Sequence, residues 1–160
     1  MNIIRKFLLA ALGTSILTAV STVYATNPTT KVAYHQNTQK AVEYFDNELN
    51  FTTNPFGAKS AIDQKEERIV IIDVRAAKDY KEGHIPGAIN LPFHDYNSFN
   101  GGDLKFPELK KDNMHYIYCY ELLCSLAQKA AKQLASLGYQ VKEIKGGFNS
   151  WKEHDYPVEK

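Results

Sequence analysis

Residues 116–131 read YIYCYELLCSLAQKAA, and this stretch decides the fold. It begins with a β-branched and aromatic run, passes through a tight loop, and ends in a helical pattern with apolar residues on one face. Both cysteines of the chain, Cys119 and Cys124, lie in that loop. A strand that turns directly into a helix points backbone N–H groups and the positive end of the helix dipole at the loop. Because such surroundings lower the pKa of a thiol, the pattern predicts that Cys119 is a nucleophile.

Composition limits the classes of function that this chain can have. Its 160 residues, 44% of them hydrophobic, are enough for one domain with a real core. The 19 basic and 18 acidic residues are nearly balanced and form no basic stripe, so we expect no nucleic-acid partner. The five histidines show no metal-ligand spacing with each other or with the cysteines, and we expect neither a metal nor another cofactor.

The N-terminus has the pattern of an export signal. Arg5 and Lys6 precede an apolar run at 7–20, and small residues then allow cleavage after Ala25. The pattern predicts a signal peptide at 1–25, a linker at 26–37 and a domain at 38–160. The apolar run is short for a membrane span, so we expect an exported, periplasmic protein with no stable span after cleavage. Secretion and an uncleaved signal anchor are the alternatives.

The rest of the chain alternates helical and strand patterns. The pattern predicts an amphipathic helix of about three turns from residue 38, and a turn-rich connection over 50–67 that includes a short helix at 57–64. A nearly continuous apolar run at 68–74 is typical of a strand buried on both faces. A further strand at 139–144 and a last helix at 148–154 complete an α/β domain with a mainly parallel sheet.

Three short motifs resemble the signatures of the rhodanese-like domain family. They are IDVR at 72–75, YKEGHIPGAIN at 80–90 and GGFNSW at 146–151, and they stand in the family's order around the strand, loop and helix at 116–131. The resemblance covers residues 38–160, which makes it far more specific than a single motif. It implies a three-layer fold with a five-stranded, mainly parallel sheet and helices on both faces.

The resemblance also implies a chemistry, that of a sulfurtransferase. Family enzymes take sulfur from a sulfane-sulfur donor, hold it as a persulfide on the loop cysteine, and pass it to a nucleophile; by position that cysteine is Cys119. The partner would be a small sulfane-sulfur donor, a protein thiol or a protein persulfide. Loop amides would stabilise the anionic sulfur, as in an oxyanion hole. The residues of this substrate-binding loop are Tyr120, Glu121, Leu122, Leu123, Cys124 and Ser125.

Three residues outside the loop are candidate supporting residues. We expect Asp73 and Arg75 to be structural and to pin the loop after their strand by hydrogen bonds and an ion pair, with Glu82 as one candidate partner. His84 lies in a turn between Gly83 and Ile85. We expect it to brace that loop in preference to acting in catalysis.

The loop departs from the pattern of thiosulfate-using members of the family. Those members typically have a glycine near Leu122 and an arginine or lysine at the position of Cys124, whereas Glu121 here adds a negative charge. A dianionic donor would meet no cation in the loop, so we expect poor thiosulfate:cyanide activity and a preference for less charged donors.

The role of Cys124 is open at this stage. It either fills the space of the missing arginine or is a resolving thiol that forms a disulfide with Cys119, which requires a curled loop. Two further functions therefore stand beside the sulfurtransferase. One is a thiol–disulfide redox protein that uses both cysteines, and the other is a non-catalytic binding module on the same fold.

Overall fold

A computed structural model describes residues 37–95, 106 and 108–160. The predicted signal peptide at 1–25 lies outside these residues, as does the predicted linker at 26–37 except for Asn37. Within the described ranges, no helix has the length and apolar character needed to cross a membrane.

A five-stranded sheet forms the centre of the domain. Its strands are β1 (Thr52–Thr53), β2 (Ile69–Asp73), β3 (Ile89–Asn90), β4 (Met114–Tyr118) and β5 (Gln140–Ile144). Every pairing between them is parallel, and their spatial order is β1-β5-β4-β2-β3. The predicted fold class is therefore confirmed. Because β4 is the middle strand, its carboxyl end opens at the centre of one sheet edge, where ligand sites of parallel α/β sheets form.

Helices cover both faces of this sheet. They are α1 (Thr38–Phe51), α2 (Pro55–Asp63), α3 (Ala77–Glu82), α4 (Leu126–Ser136) and α5 (Gly147–Glu153), with a short 3-10 turn at Phe93–Asp95. Adjacent strand residues point to opposite faces. Ile72 and Ile117 pack with α4 in one core cluster, whereas Ile71 and Tyr118 pack with Trp151 of α5 in the other. Two cores separated by one sheet give the predicted three layers.

The predicted turn-rich connection at 50–67 differs from the structure. It contains strand β1, which the sequence did not predict, and its helix begins two residues earlier than expected, at Pro55. Pro55 occupies the first turn, where a missing N–H costs nothing, and the side chain of Asn54 caps the helix by accepting from the amide of Gly57 at 2.8 Å. A two-residue strand has no periodic pattern; only its pairing with β5 defines it.

The predicted N-terminal helix forms as α1, but its apolar residues do not become core. None of the residues of α1 is buried in the described part of the chain. Its large apolar side chains are exposed, namely Val42, Tyr44, Phe45, Leu49 and Phe51. The helix begins at a regular cap, in which the side chain of Asn37 accepts a hydrogen bond from the amide of Lys40 at 3.1 Å.

Candidate active site

Cys119 is the first residue after the central strand β4, and it is only 2% exposed. The chain then curls through residues 120–125 and enters α4 at Leu126. The Sγ atom of Cys119 lies 3.2 Å from the carbonyl oxygen of Cys124 and 3.9 Å from that of Glu121. The amide of Cys124 donates to the carbonyl of Glu121 at 3.1 Å, which closes a turn inside the loop. The structure therefore has the predicted strand, loop and helix, with the sulfur at the base of a curled loop.

The first residues of α5 hold this loop in place through backbone hydrogen bonds. The amide of Phe148 donates to the carbonyl of Cys119 at 2.9 Å, and the amide of Asn149 donates to that of Tyr120 at 2.8 Å. Gly147 has φ +57°, and a Cβ atom on it would lie 2.6 Å from the carbonyl oxygen of Cys119. The sequence indicated this segment only as a family motif, so its role in holding the loop was missed. The pair Gly146-Gly147 was the available signal, since paired glycines often allow two backbones to approach closely.

Burial raises the pKa of the Cys119 thiol to about 12, and the neighbouring Cys124 side chain adds to the increase through its hydrogen bond. Backbone hydrogen bonds from Ala127 and Glu121 act in the opposite direction and lower the pKa, but they do not compensate. The prediction of a lowered pKa was therefore wrong for the resting thiol. Loss of water around the sulfur disfavours the thiolate more than the loop amides favour it.

Asp73 and Arg75 form the predicted ion pair behind the loop. The guanidinium of Arg75, which is 4% exposed, donates to the carboxylate of Asp73 at 2.5–3.0 Å and to the carbonyl of Gly83 at 2.7 Å. The hydroxyl of Tyr118 also donates to Asp73, at 2.6 Å. Arg75 lies 4.1 Å from the centre of the Phe148 ring. The pair therefore connects β2, β4 and the Gly83 turn to the helix that holds the loop of Cys119.

Glu82 was named as a candidate partner of Arg75, and this prediction was wrong. Glu82 lies 3.9 Å from Lys78 on the exposed side of α3. The partner that replaces it is the carbonyl of Gly83, the next residue along the chain. The carboxylate of Glu82 is exposed and stays hydrated, whereas the backbone carbonyl of Gly83 points inward at the end of the helix, where it accepts from Arg75.

His84 lies against the preceding helix. Its Nδ1 atom is 2.9 Å from the carbonyl of Tyr80, its ring stacks on the Tyr80 ring at 3.8 Å, and its Nε2 atom is 3.7 Å from the carboxylate of Glu159. None of these contacts, which involve described residues, reaches the loop of Cys119. The position fits a bracing role, and the preference for bracing over catalysis stays a prediction.

The outer surface of the loop is apolar and open. Leu122 is 70% exposed and Leu123 is 88% exposed. Both line a cleft of about 500 Å³ that Phe56 and the charged residues Glu121, Lys145 and Glu153 also line. Cys119 is not part of this cleft. The cleft is therefore a surface beside the loop and not the pocket of the sulfur itself.

The remaining loop residues take part mainly in anchoring. The hydroxyl of Tyr120 donates to the carboxylate of Asp79 at 2.5 Å, which ties the loop to α3. Ser125 precedes α4 but makes no side-chain cap hydrogen bond.

Among the described residues, no group of three or more His, Cys, Asp or Glu side chains is placed to hold a metal ion.

Comparison with known proteins agrees with this architecture. A parallel five-stranded sheet with a cysteine loop at the end of its central strand defines the class of fold, and the sequence profile of the rhodanese-like domain matches residues 58–154. The chain belongs to the rhodanese-like domain family.

Relatives and solved structures give the same result. The thiosulfate sulfurtransferase GlpE of Pseudomonas putida is 34% identical over 98 residues, which cover 60% of this chain and 80% of that protein. A protein named sulfurtransferase from Allochromatium vinosum is 28% identical, and the matched region covers 79% of that protein. The BH2092 protein of Bacillus halodurans has 32% identity and a TM-score of 0.66, with 77% of this chain and 86% of that chain covered. At the level of the family, these homologues support a sulfurtransferase function.

Other relatives contain the same domain within longer chains. An HTH-type transcriptional regulator, Rv0324 of Mycobacterium tuberculosis, is 31% identical over 91 residues, but these cover only 38% of it. A probable molybdopterin-synthase adenylyltransferase of Porphyra purpurea is covered to 20%. The similarity in both cases is to one part of a larger protein.

Proposed function

We propose that this protein is a sulfurtransferase that carries sulfur as a persulfide on Cys119 and uses thiosulfate poorly. The observation that supports the proposal is the position of Cys119, which ends the central strand beneath a curled loop at the start of α4. Backbone hydrogen bonds from Ala127 and Glu121 act on its sulfur. A persulfide ionises more readily than a thiol, so the same amides stabilise the loaded form more than the resting form.

The raised pKa of Cys119 has a consequence for sulfur uptake. The attacking species is the thiolate, and at neutral pH only a small fraction of a thiol with a raised pKa is ionised. Uptake therefore accelerates as the pH increases through the alkaline range. Once the persulfide has formed, it stays ionised at neutral pH and transfer no longer depends on that pKa.

The charge around the loop supports the proposed donor preference. Residues 120–125 contain no lysine or arginine and one carboxylate, Glu121. Lys145 lines the adjacent cleft but lies 3.3 Å from Glu143 and 3.7 Å from Glu48, so its charge is already balanced. Arg75 is buried against Asp73. A donor with an apolar or peptide portion can rest on Leu122 and Leu123, whereas a small dianion gains nothing there.

The test is sulfur loading of the purified protein followed by intact-mass and peptide mass spectrometry without reductant. Glutathione persulfide should add one sulfur atom to Cys119, and Cys119→Ser should abolish the addition. Thiosulfate at the same concentration should load at least about tenfold more slowly, because both of its charges would lie close to Glu121 and it has no apolar portion to contact Leu122 and Leu123. Glu121→Gln should narrow that difference. Equal loading by both donors would contradict the donor preference, and no loading by any donor would favour a binding module.

We also propose that the chain is exported and processed after Ala25, as the N-terminal pattern predicts. Expression of the full chain in a bacterial host, followed by fractionation and N-terminal sequencing, tests this directly. The expected product begins at Thr26 and is found in the periplasmic fraction. A product that keeps Met1 and stays in the cytoplasm would contradict the proposal.

A further inference from the structure

Cys124 lies directly beside the sulfur atom of Cys119. The carbonyl oxygen of Cys124 is 3.2 Å from the Sγ atom of Cys119, and the side chain of Cys124 is near enough to that thiol to raise its pKa. The hydrogen bond between the amide of Cys124 and the carbonyl of Glu121 keeps the loop curled. Both cysteines are free thiols. The loop therefore holds two reduced sulfur atoms as neighbours before any donor arrives.

Packing alone does not account for a thiol at this position. Cys124 is half-buried and packs at the edge of the core cluster that contains Cys119. An alanine or valine could cover the same edge without disfavouring the thiolate of Cys119, which the second thiol does. The adjoining Leu122 and Leu123 are exposed, so this side of the loop faces solvent. These features suit a cysteine that reacts with the sulfur on Cys119.

We infer that Cys124 discharges the persulfide of Cys119 as hydrogen sulfide, so that the protein reduces sulfane sulfur in addition to carrying it. The inference rests on the proposed function, which supplies the persulfide. In the first step the Cys119 thiolate attacks the outer sulfur of a donor R–S–SH; the donor S–S bond breaks, R–SH leaves, and Cys119–S–SH forms.

In the second step the thiolate of Cys124 attacks the Sγ atom of Cys119. The ionised outer sulfur takes up the proton lost by Cys124 as its bond to Sγ breaks, and it leaves with the bonding pair as HS⁻. The two cysteines are oxidised to one disulfide and the outer sulfur is reduced to sulfide. A dithiol reductant then restores both thiols and is itself oxidised to a disulfide.

The geometry favours attack at the inner sulfur. The Sγ atom of Cys119 is the sulfur that already neighbours Cys124 in the structure. Hydrosulfide is also a better leaving group than an alkyl thiolate, because the thiol of lower pKa leaves faster in thiol–disulfide exchange. Attack at the outer sulfur would instead move the persulfide to Cys124 and release no sulfide.

The experiment is a single turnover of the purified protein with glutathione persulfide in the absence of reductant. Sulfide is measured with an electrode, and the protein products are measured by non-reduced peptide mass spectrometry. Wild-type protein should release about one sulfide per chain and form a Cys119–Cys124 disulfide. Cys124→Ser should retain the persulfide on Cys119 and release at least about tenfold less sulfide. Cys119→Ser controls for spontaneous decay of the donor, and Cys124→Ala repeats the comparison without a hydroxyl.

The outcomes separate this inference from the function on which it rests. A stable persulfide on Cys119 in wild-type protein, with sulfide release equal to that of both Cys124 variants, would overturn the inference and leave the sulfurtransferase standing. Persulfide found on Cys124 would also overturn it. If neither the wild type nor the Cys124 variants take up sulfur, the proposed function fails and the inference fails with it.

Discussion

Gly147→Ala is the substitution that tests most directly whether α5 positions the loop of Cys119. An added Cβ atom would lie 2.6 Å from the carbonyl oxygen of Cys119 and 3.0 Å from the amide nitrogen of Glu121, both backbone atoms that cannot rotate away. The first distance is about 0.8 Å inside ordinary van der Waals contact. The loop must therefore shift by several tenths of an ångström or more, which moves Cys119 relative to the amides that act on its sulfur.

The expected loss of stability in Gly147→Ala has two contributions. Gly147 has φ +57°, and a left-handed conformation costs a residue with a Cβ atom about 1–2 kcal/mol. Overpacking against the fixed backbone adds about 1–3 kcal/mol to the loss of stability. Because a misplacement of about 1 Å can cost about 100-fold in rate, we expect persulfide formation to slow by about 10- to 100-fold.

Gly87→Ala is the matched control. Gly87 has φ +71°, so the backbone penalty is the same, but an added Cβ would meet nothing within 4 Å. Both variants are compared by urea unfolding and by the initial rate of persulfide formation on Cys119 with glutathione persulfide. We expect Gly87→Ala to lose about 1–2 kcal/mol and keep the wild-type rate. The reasoning is refuted if both variants lose the same stability and both load sulfur at the wild-type rate.

Three further predictions concern charge and pH. Asp73→Ala should lower the free energy of unfolding by about 3–5 kcal/mol in urea titrations, because it leaves the buried guanidinium of Arg75 without its carboxylate partner. Lys78→Ala, which removes an exposed pair, should change it by less than about 0.5 kcal/mol. Equal losses would show that the buried pair is not critical. Alkylation of Cys119 by iodoacetamide, assigned by peptide mass spectrometry, should keep accelerating above about pH 9 because the pKa of this thiol is raised. Cys124→Ala should make the alkylation faster at about pH 8, and a plateau below about pH 9 in the wild type would contradict the raised pKa. Burial lowers the pKa of His115, so the unfolded chain binds a proton on this side chain at a higher pH than the folded chain does. The stability present above about pH 6.5 should therefore be lost as the pH decreases. The slope of stability against pH should flatten in His115→Gln, and an unchanged slope would assign it to other groups.

Local sequence patterns determined most of the architecture. The apolar run at β2, the amphipathic pattern of α4 and the short strand β4 were predicted within a few residues of their observed bounds. Each depends on interactions between residues close in sequence or on burial of a periodic face, so each leaves a readable pattern. The position of Cys119 at the end of β4 follows from the same pattern, and the resemblance to the family implied the five-stranded, mainly parallel sheet around it.

The chemical state of the site was decided only by the tertiary structure. The pKa of Cys119 depends on how completely packed atoms exclude water from its sulfur, and the sequence indicated the amides that lower the pKa without the burial that raises it. The carbonyl that binds Arg75 and the aromatic ring beside it come from separate segments, Gly83 and Phe148. Gly147 likewise meets the loop of Cys119 from a helix that follows strand β5. Desolvation and contacts between distant segments exist only once the chain is folded, and the sequence alone therefore located Cys119 after the central strand without determining the pKa of its thiol.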